Sequence, residues 1–146
     1  MPHLVPLPDG YEISDDRARL DIAAIHAYIS DESYWGRGRT RDFTERCIAN
    51  ALCLGLYAPD GSQAGFARLT TDMTSNAHLS DVFVLDAHRG RGLGKALVAA
   101  ALAHPDLQGV YRWTLSTSDA HALYAGFGFG PHPNPTSQMW MLRERP

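Results

Sequence analysis

Leu79-Ser80-Asp81-Val82-Phe83-Val84-Leu85-Asp86-Ala87-His88-Arg89-Gly90-Arg91-Gly92-Leu93-Gly94-Lys95-Ala96-Leu97 decides how the chain is read. An apolar strand enters a loop of glycines and arginines, and the loop opens directly into an amphipathic helix. At such a junction several backbone N–H groups lack intrahelical partners, and the positive end of the helix dipole points at one spot. Glycines let a ligand approach the backbone closely, so the junction is a cradle for a phosphate or pyrophosphate. Arg89, Arg91 and Lys95 add fixed positive charge around it.

Spacing separates this loop from two better-known phosphate loops. A nucleotide P-loop needs four residues between its first glycine and Gly-Lys, then Ser or Thr. Gly90 and Gly94 enclose three residues, and Ala96 follows Lys95, so no hydroxyl is placed to hold magnesium. A dinucleotide fingerprint needs G-x-G-x-x-G at the first strand of its domain. Here Lys95 stands where the third glycine belongs, and the loop lies past the middle of the chain.

Outward from the loop the pattern alternates strands and helices. Pro2, Pro6 and Pro8 make an extended lead-in, and Tyr11 to Ser14 reads as a short strand. Leu20, Ile22, Ile25 and Ile29 recur near helical spacing and predict a helix from Arg17 to Ile29. A polar, glycine-punctuated loop, Ser30 to Thr40, precedes a second helix over Arg41 to Asn50. Strands at Leu52–Tyr57 and Ala64–Thr71 flank the turn residues Pro59, Asp60 and Gly61, as in a hairpin. After the Leu79–Leu85 strand, Leu93, Ala96, Leu97 and Ala100 give the next helix an apolar stripe, and Pro105 ends it. Val110 to Leu115 reads as a strand, Asp119 or Ser118 as the cap of a helix stopping at Gly126, and Ser137 to Leu142 as a last strand. Strands interleaved with helices and opening on an antiparallel hairpin indicate a mixed α/β sheet.

Bulk properties narrow the class. With 146 residues the chain is expected to form one domain with a real core. Apolar residues make up 45% and charged residues 20%, an ordinary globular balance. A net charge of −3 and a pI near 6.1 argue against general nucleic-acid binding. No apolar stretch is long enough for a membrane span and Met1-Pro2-His3-Leu4 opens nothing like a signal peptide, so the expected location is cytoplasmic. Cys47 and Cys53 are too few for a disulfide framework or a zinc site, and no metal is expected.

Arg89, Gly92 and Gly94 spell Arg-x-x-Gly-x-Gly, which resembles the acetyl-CoA loop of the GNAT superfamily of N-acetyltransferases. Leu115-Ser116-Thr117-Ser118-Asp119-Ala120-His121-Ala122-Leu123-Tyr124-Ala125-Gly126-Phe127-Gly128-Phe129 is similar to that family's second signature, a strand leading to a short helix with a tyrosine and then Gly-Phe. The two blocks lie in the family's order and cover about a third of the chain. The resemblance implies an α/β fold of the α+β type, a mixed, mostly antiparallel sheet of six to seven strands flanked by about four helices. It also implies acetyl-CoA as co-substrate and a primary amine, on a small molecule or a peptide, as acceptor. Small domains of this kind often pair through their final strands, so a homodimer is one open assembly.

Acyl transfer from a thioester to an amine sets four tasks. The cofactor loop is expected to be Arg89, Gly90, Arg91, Gly92, Leu93, Gly94 and Lys95. Polarising the carbonyl is, by resemblance, the work of a free strand amide among Val82, Phe83 and Val84. A phenol with a pKa near ~10 keeps its proton until a thiolate leaves beside it, which assigns Tyr124 as general acid. Asp81, a carboxylate in an apolar strand, is read as the general base or the holder of a cationic amine, with a salt bridge to arginine as the alternative. Asp72, His78, Glu32 and His121 are other bases. Tyr34 and Trp35 in the glycine-flanked loop are expected to wall the acceptor groove, with Arg37 and Arg39 placed to receive a carboxylate. The rival class is a non-catalytic CoA-binding module on the same fold; another acyl donor is a rival within it.

Overall fold

The computed structural model describes all of Met1–Pro146, which separates into two compact units, Met1–Ser116 and Thr117–Pro146. The first holds a six-stranded sheet: β1 (Leu4–Pro6), β2 (Glu12–Ser14), β3 (Leu52–Tyr57), β4 (Gln63–Thr71), β5 (Asn76–Val84) and β6 (Arg112–Leu115). The strands lie side by side in chain order. Every neighbouring pair from β1 to β5 is antiparallel, and β5 pairs with β6 in parallel.

Three helices belong to this unit: α1 (Ile22–Asp31), α2 (Arg41–Ala49) and α3 (Leu93–Leu102). Ile25 and Ile29 of α1 and Ile48 of α2 form a buried cluster with Cys53, Phe66 and Phe83 on one face of the sheet. Leu93, Leu97 and Val98 are the buried stripe of α3. Gly94 of that helix approaches Val84 of β5: a Cβ built on it would stand 4.0 Å from Val84 Cγ2.

The first helix begins later than its apolar spacing predicts. Asp16 accepts a bond from Ala18 N and closes a 3-10 turn over Arg17–Arg19, and Leu20 is extended. Asp21 then caps α1 by accepting from Ala24 N. Two consecutive acidic caps divide what the periodicity reads as one helix. The proline-rich lead-in is also more ordered than expected, since Leu4–Pro6 pairs with Glu12–Ser14.

The second unit contains α4 (His121–Ala125), and its start differs from the sequence reading. Neither Ser118 nor Asp119 caps the helix. Thr117 Oγ1 accepts from Ala120 N at 3.0 Å instead. The helix stops at Gly126, its C-cap, as the sequence predicts, and the chain turns two residues later at Gly128, at φ +98°. Gly128 N donates to Ala125 O and Phe129 N to Tyr124 O, a Schellman closure. The Phe129 ring meets Tyr124 edge-on, with centroids 5.9 Å apart, which supplies the apolar contact of that motif. The strand expected at Ser137–Leu142 does not form: Pro135–Ser137 is a 3-10 turn, and Met139, Trp140, Met141 and Leu142 are exposed. Its alternating side chains find no strand ladder to join.

Candidate active site

The phosphate cradle starts where β5 runs out. After Val84 the chain makes a 3-10 turn over Asp86–His88, then Gly90 and Gly92 both take the left-handed conformation, at φ +80° and +75°. Gly92 is the N-cap of α3 and offers no side chain to its first turn. From Gly90 to Lys95 no backbone N–H finds an acceptor within the chain; the first amide to do so is Ala96 N, which donates to Gly92 O. A Cβ on Gly90 or Gly92 would meet nothing within 4 Å, so the surface over these amides is open. Such a nest at a helix N-terminus is built to take an anion.

Arg89 is tied to its own chain. Its Nε donates to Val84 O at 3.0 Å, one Nη donates to the Tyr28 hydroxyl at 2.9 Å, and the other pairs with Asp86 at 2.5 Å. Arg89 therefore braces the loop through its own bonds. Arg91 lies over the Tyr11 ring, 5.7 Å from its centroid, and Tyr11 in turn bonds His88 Nδ1 at 2.8 Å. Lys95 is exposed in the first turn of α3.

The strand before the loop is free on one edge. β6 pairs only with Asn76–Leu79, so from Ser80 onward β5 has no partner on that side. On the other side Leu85 N donates to Ala64 O. Amides in a strand alternate edges, so Phe83 N–H faces β4 with Leu85, and Val84 N–H faces the open edge. Phe83 thus leaves the list of amide candidates, and Val82 and Val84 remain.

Asp81 sits at a β-bulge: two residues, Asp81 and Val82, oppose the single Ala67 between the pairs Phe66–Phe83 and Arg68–Ser80. Asp81 takes φ +50°, a left-handed conformation that a non-glycine residue holds only against strain. Its buried carboxylate repays that strain with bonds. Oδ2 accepts from Arg39 at 3.0 Å and from Arg68 Nε at 2.8 Å, and Oδ1 accepts from Trp35 Nε1 at 2.8 Å. Burial pushes its pKa up, but Arg68 and Arg39 outweigh burial and hold the carboxyl below its ordinary range. A carboxylate so placed anchors rather than accepts a proton. The salt-bridge alternative is the geometry present.

The aromatic loop divides in the same way. Tyr34 is half exposed, and its ring meets Trp35 edge-on at 5.1 Å. Trp35 packs against the apolar cluster under α1 and α2 and spends its N–H on Asp81. Arg39 is buried. Tyr28, which carries no motif signal, stacks on Phe83 at 4.2 Å and holds Arg89. Its place on α1, three positions after Ile25 and next to Ile29, marks it in sequence only as helix surface.

Among the remaining bases, Asp72 is a turn residue, accepting from Thr74, Ser75 and Asn76 amides and from the Ser75 hydroxyl. Glu32 is the exposed C-cap of α1, and His121 opens α4. His78, on β5, is half-buried and bonded through Nδ1 to Thr114 of β6 at 2.7 Å. Burial, and then Arg68, lower its pKa, leaving a neutral imidazole at neutral pH. Cys53 is buried and its thiol is pushed up to about 11, which keeps it protonated. In the second unit, Tyr124 is the buried residue of α4.

A mixed sheet opened by a hairpin, a strand with one free edge and a glycine nest at the following helix are the frame of an acetyltransferase. The acetyltransferase (GNAT) family matches residues 31–129, and the chain belongs to it. A crystal structure from Xanthomonas campestris pv. campestris, described as a GNAT-family acetyltransferase, is 44% identical and superposes with a TM-score of 0.87 over 98% of this chain and 95% of that one. A Gibberella zeae protein described as an acetyltransferase, FG08082, is 28% identical over 78% of this chain and 75% of its own length. The glucosamine-6-phosphate N-acetyltransferase of Arabidopsis thaliana shares the fold, at 17% identity and a TM-score of 0.59 over 99% of both chains.

Proposed function

We propose that the chain moves an acetyl group from acetyl-CoA to a primary amine by direct attack, with both substrates held at once. The observation that carries this reading is the run of unpartnered amides from Gly90 to Lys95 at the end of a strand with a free edge. Those amides suit the cofactor's diphosphate, and the left-handed Gly90 and Gly92 leave the approach open. When bound, acetyl-CoA supplies the acetyl group in an activated thioester.

Each remaining task falls to a residue of this chain. An amide of the open β5 edge, Val82 or Val84, donates to the acyl oxygen and stabilises charge that gathers there. His78, neutral at working pH, takes the proton that the attacking amine sheds. Tyr124 holds a proton for the departing thiolate. Asp81 fixes the bulge and the loop carrying Tyr34 and Trp35, and Tyr34 borders the acceptor.

Calorimetric titration with acetyl-CoA, with ATP and NAD as controls, tests the cofactor step. Saturable binding of acetyl-CoA alone, followed by acetylation of an amine, is the expected result. Equal binding of ATP, or no binding of acetyl-CoA, rejects the reading.

A further inference from the structure

We propose that the acceptor amine carries a carboxylate a few bonds from its nitrogen, and that Arg68, with Arg39 beside it, receives that carboxylate. The inference rests on the transferase reading above. Two guanidinium groups, Arg39 and Arg68, meet one carboxylate, Asp81, so two positive charges against one negative leave a surplus of one. All three side chains are withdrawn from water, at 7%, 15% and 3% exposure, and no other carboxylate bonds either arginine. An uncompensated charge in such a setting is costly unless something answers it.

The donors left over point the same way. Arg68 spends only Nε on Asp81, and its two Nη groups make no bond within the chain. Arg39 Nε is buried with no acceptor at all. Asp81 cannot serve them further, since Oδ2 already accepts both arginines and Oδ1 accepts Trp35. A planar fork with free Nη groups matches a carboxylate, and a surplus of one charge matches a monovalent anion.

Position completes the argument. Arg68 pairs across with Ser80, beside the bulge, and Gly65 pairs with Val84. Arg68 lies three positions from Gly65 along β4, about 10 Å on an extended strand. The Arg68 side chain leans toward Asp81 and shortens that span. A compact amino acid, its carboxylate on Arg68 and its nitrogen near the open β5 edge, fits this spacing; a polyamine places a positive charge against two arginines.

The test pairs each amine with its neutralised twin: α- and ω-amino acids against their primary amides, assayed for acetyl transfer and for binding by calorimetry. The wild type is expected to prefer at least one acid over its amide by about tenfold or more in kcat/KM, the scale of one charge-assisted bonded pair. Arg68→Gln should erase that preference, and Arg68→Lys should keep part of it. Acetyl-CoA affinity should hold in both variants, which reports that the fold survives. No preference in any wild-type pair, no binding by any member, or a preference that survives Arg68→Gln overturns the proposal. Loss of acetyl-CoA binding in the wild type would instead overturn the transferase reading beneath it.

Discussion

Arg89 Nε donates to the carbonyl oxygen of Val84 at 3.0 Å, so the side chain that opens the glycine loop also satisfies the free edge of β5. N–H and C=O of one strand residue face the same edge, which leaves the Val84 amide beside an already bonded carbonyl. The same guanidinium reaches Tyr28 on α1 and Asp86 in the turn. Strand edge, turn and first helix are thereby fixed to one residue. Arg89→Ala is expected to weaken acetyl-CoA binding by roughly tenfold, on the scale of one or two lost charge-assisted bonds. Tyr28→Phe removes one of the bonds and should cost a few-fold. Equal affinities for Arg89→Ala and wild type in calorimetry would show the loop to be stable without the brace.

Gly92 makes a sharper claim. Its φ of +75° disfavours any Cβ, while the space around it is empty, so Gly92→Val is strained rather than clashing. The strain amounts to about 1–2 kcal/mol. The larger effect is on function, because the new side chain stands over amides that must meet the diphosphate. Acetyl-CoA affinity should fall at least tenfold while the melting temperature drops by only a few degrees. A variant that binds normally would mean the amides are not the cradle.

What was legible in the sequence follows from how far each signal reaches. The glycine loop, the strand before it and the helix after it are local, set by spacing within Leu79–Leu97, and they appear where expected. Trp35, Arg39 and Arg68 converge on Asp81 from a loop and a neighbouring strand, up to 46 positions away, and no local pattern announces that meeting. The carboxylate in an apolar strand was visible as an anomaly; its partners were not. Tyr28 is hidden for the same reason, since its partners Phe83 and Arg89 are more than fifty positions away, and the left-handed turn at Asp81 depends on the β4–β5 register. The Ser137–Leu142 segment shows the converse: alternation alone does not make a strand where no ladder receives it.

The Asp81 hub sets a stability signature. Its folded pKa lies below the ordinary 3.8, because the arginines outweigh burial. A depressed acid contributes stability in full above its unfolded value, and loses it as pH falls through the folded one. Wild-type stability should therefore begin to fall near 3.8 and keep falling below it. Asp81→Asn removes that dependence and leaves two buried guanidinium groups without a counter-charge, at a cost of about 3–5 kcal/mol at neutral pH. Denaturant unfolding across pH distinguishes the cases, and a variant within 1 kcal/mol of wild type would show the ion pairs to be dispensable.

His78 governs activity rather than stability in this reading. With its pKa below 6.5, it should give kcat/KM an acid limb whose midpoint lies under that value. His78→Gln is expected to lower turnover by about two to four orders of magnitude and to abolish the limb, as for loss of a general base. Unchanged turnover and an unchanged profile would move the role to another group.

Tyr124 tests the other end of the reaction. The Schellman turn through Gly128 and the edge-on Phe129 ring hold Tyr124 in place on a helix of only five residues. The phenol's chemistry suits the proposed step: an ordinary phenol is protonated at neutral pH, can donate to the sulfur as the C–S bond breaks, and recovers its proton from solvent. Tyr124→Phe keeps the ring and its packing on Phe129, and removes only the hydroxyl. Turnover should fall by about one to three orders of magnitude, with acetyl-CoA affinity and melting temperature little changed. Because the thiolate leaves after attack, the deficit should shrink with acyl donors whose thiol has a lower pKa. A uniform loss across donors would assign the hydroxyl to packing, and full activity would remove it from the mechanism.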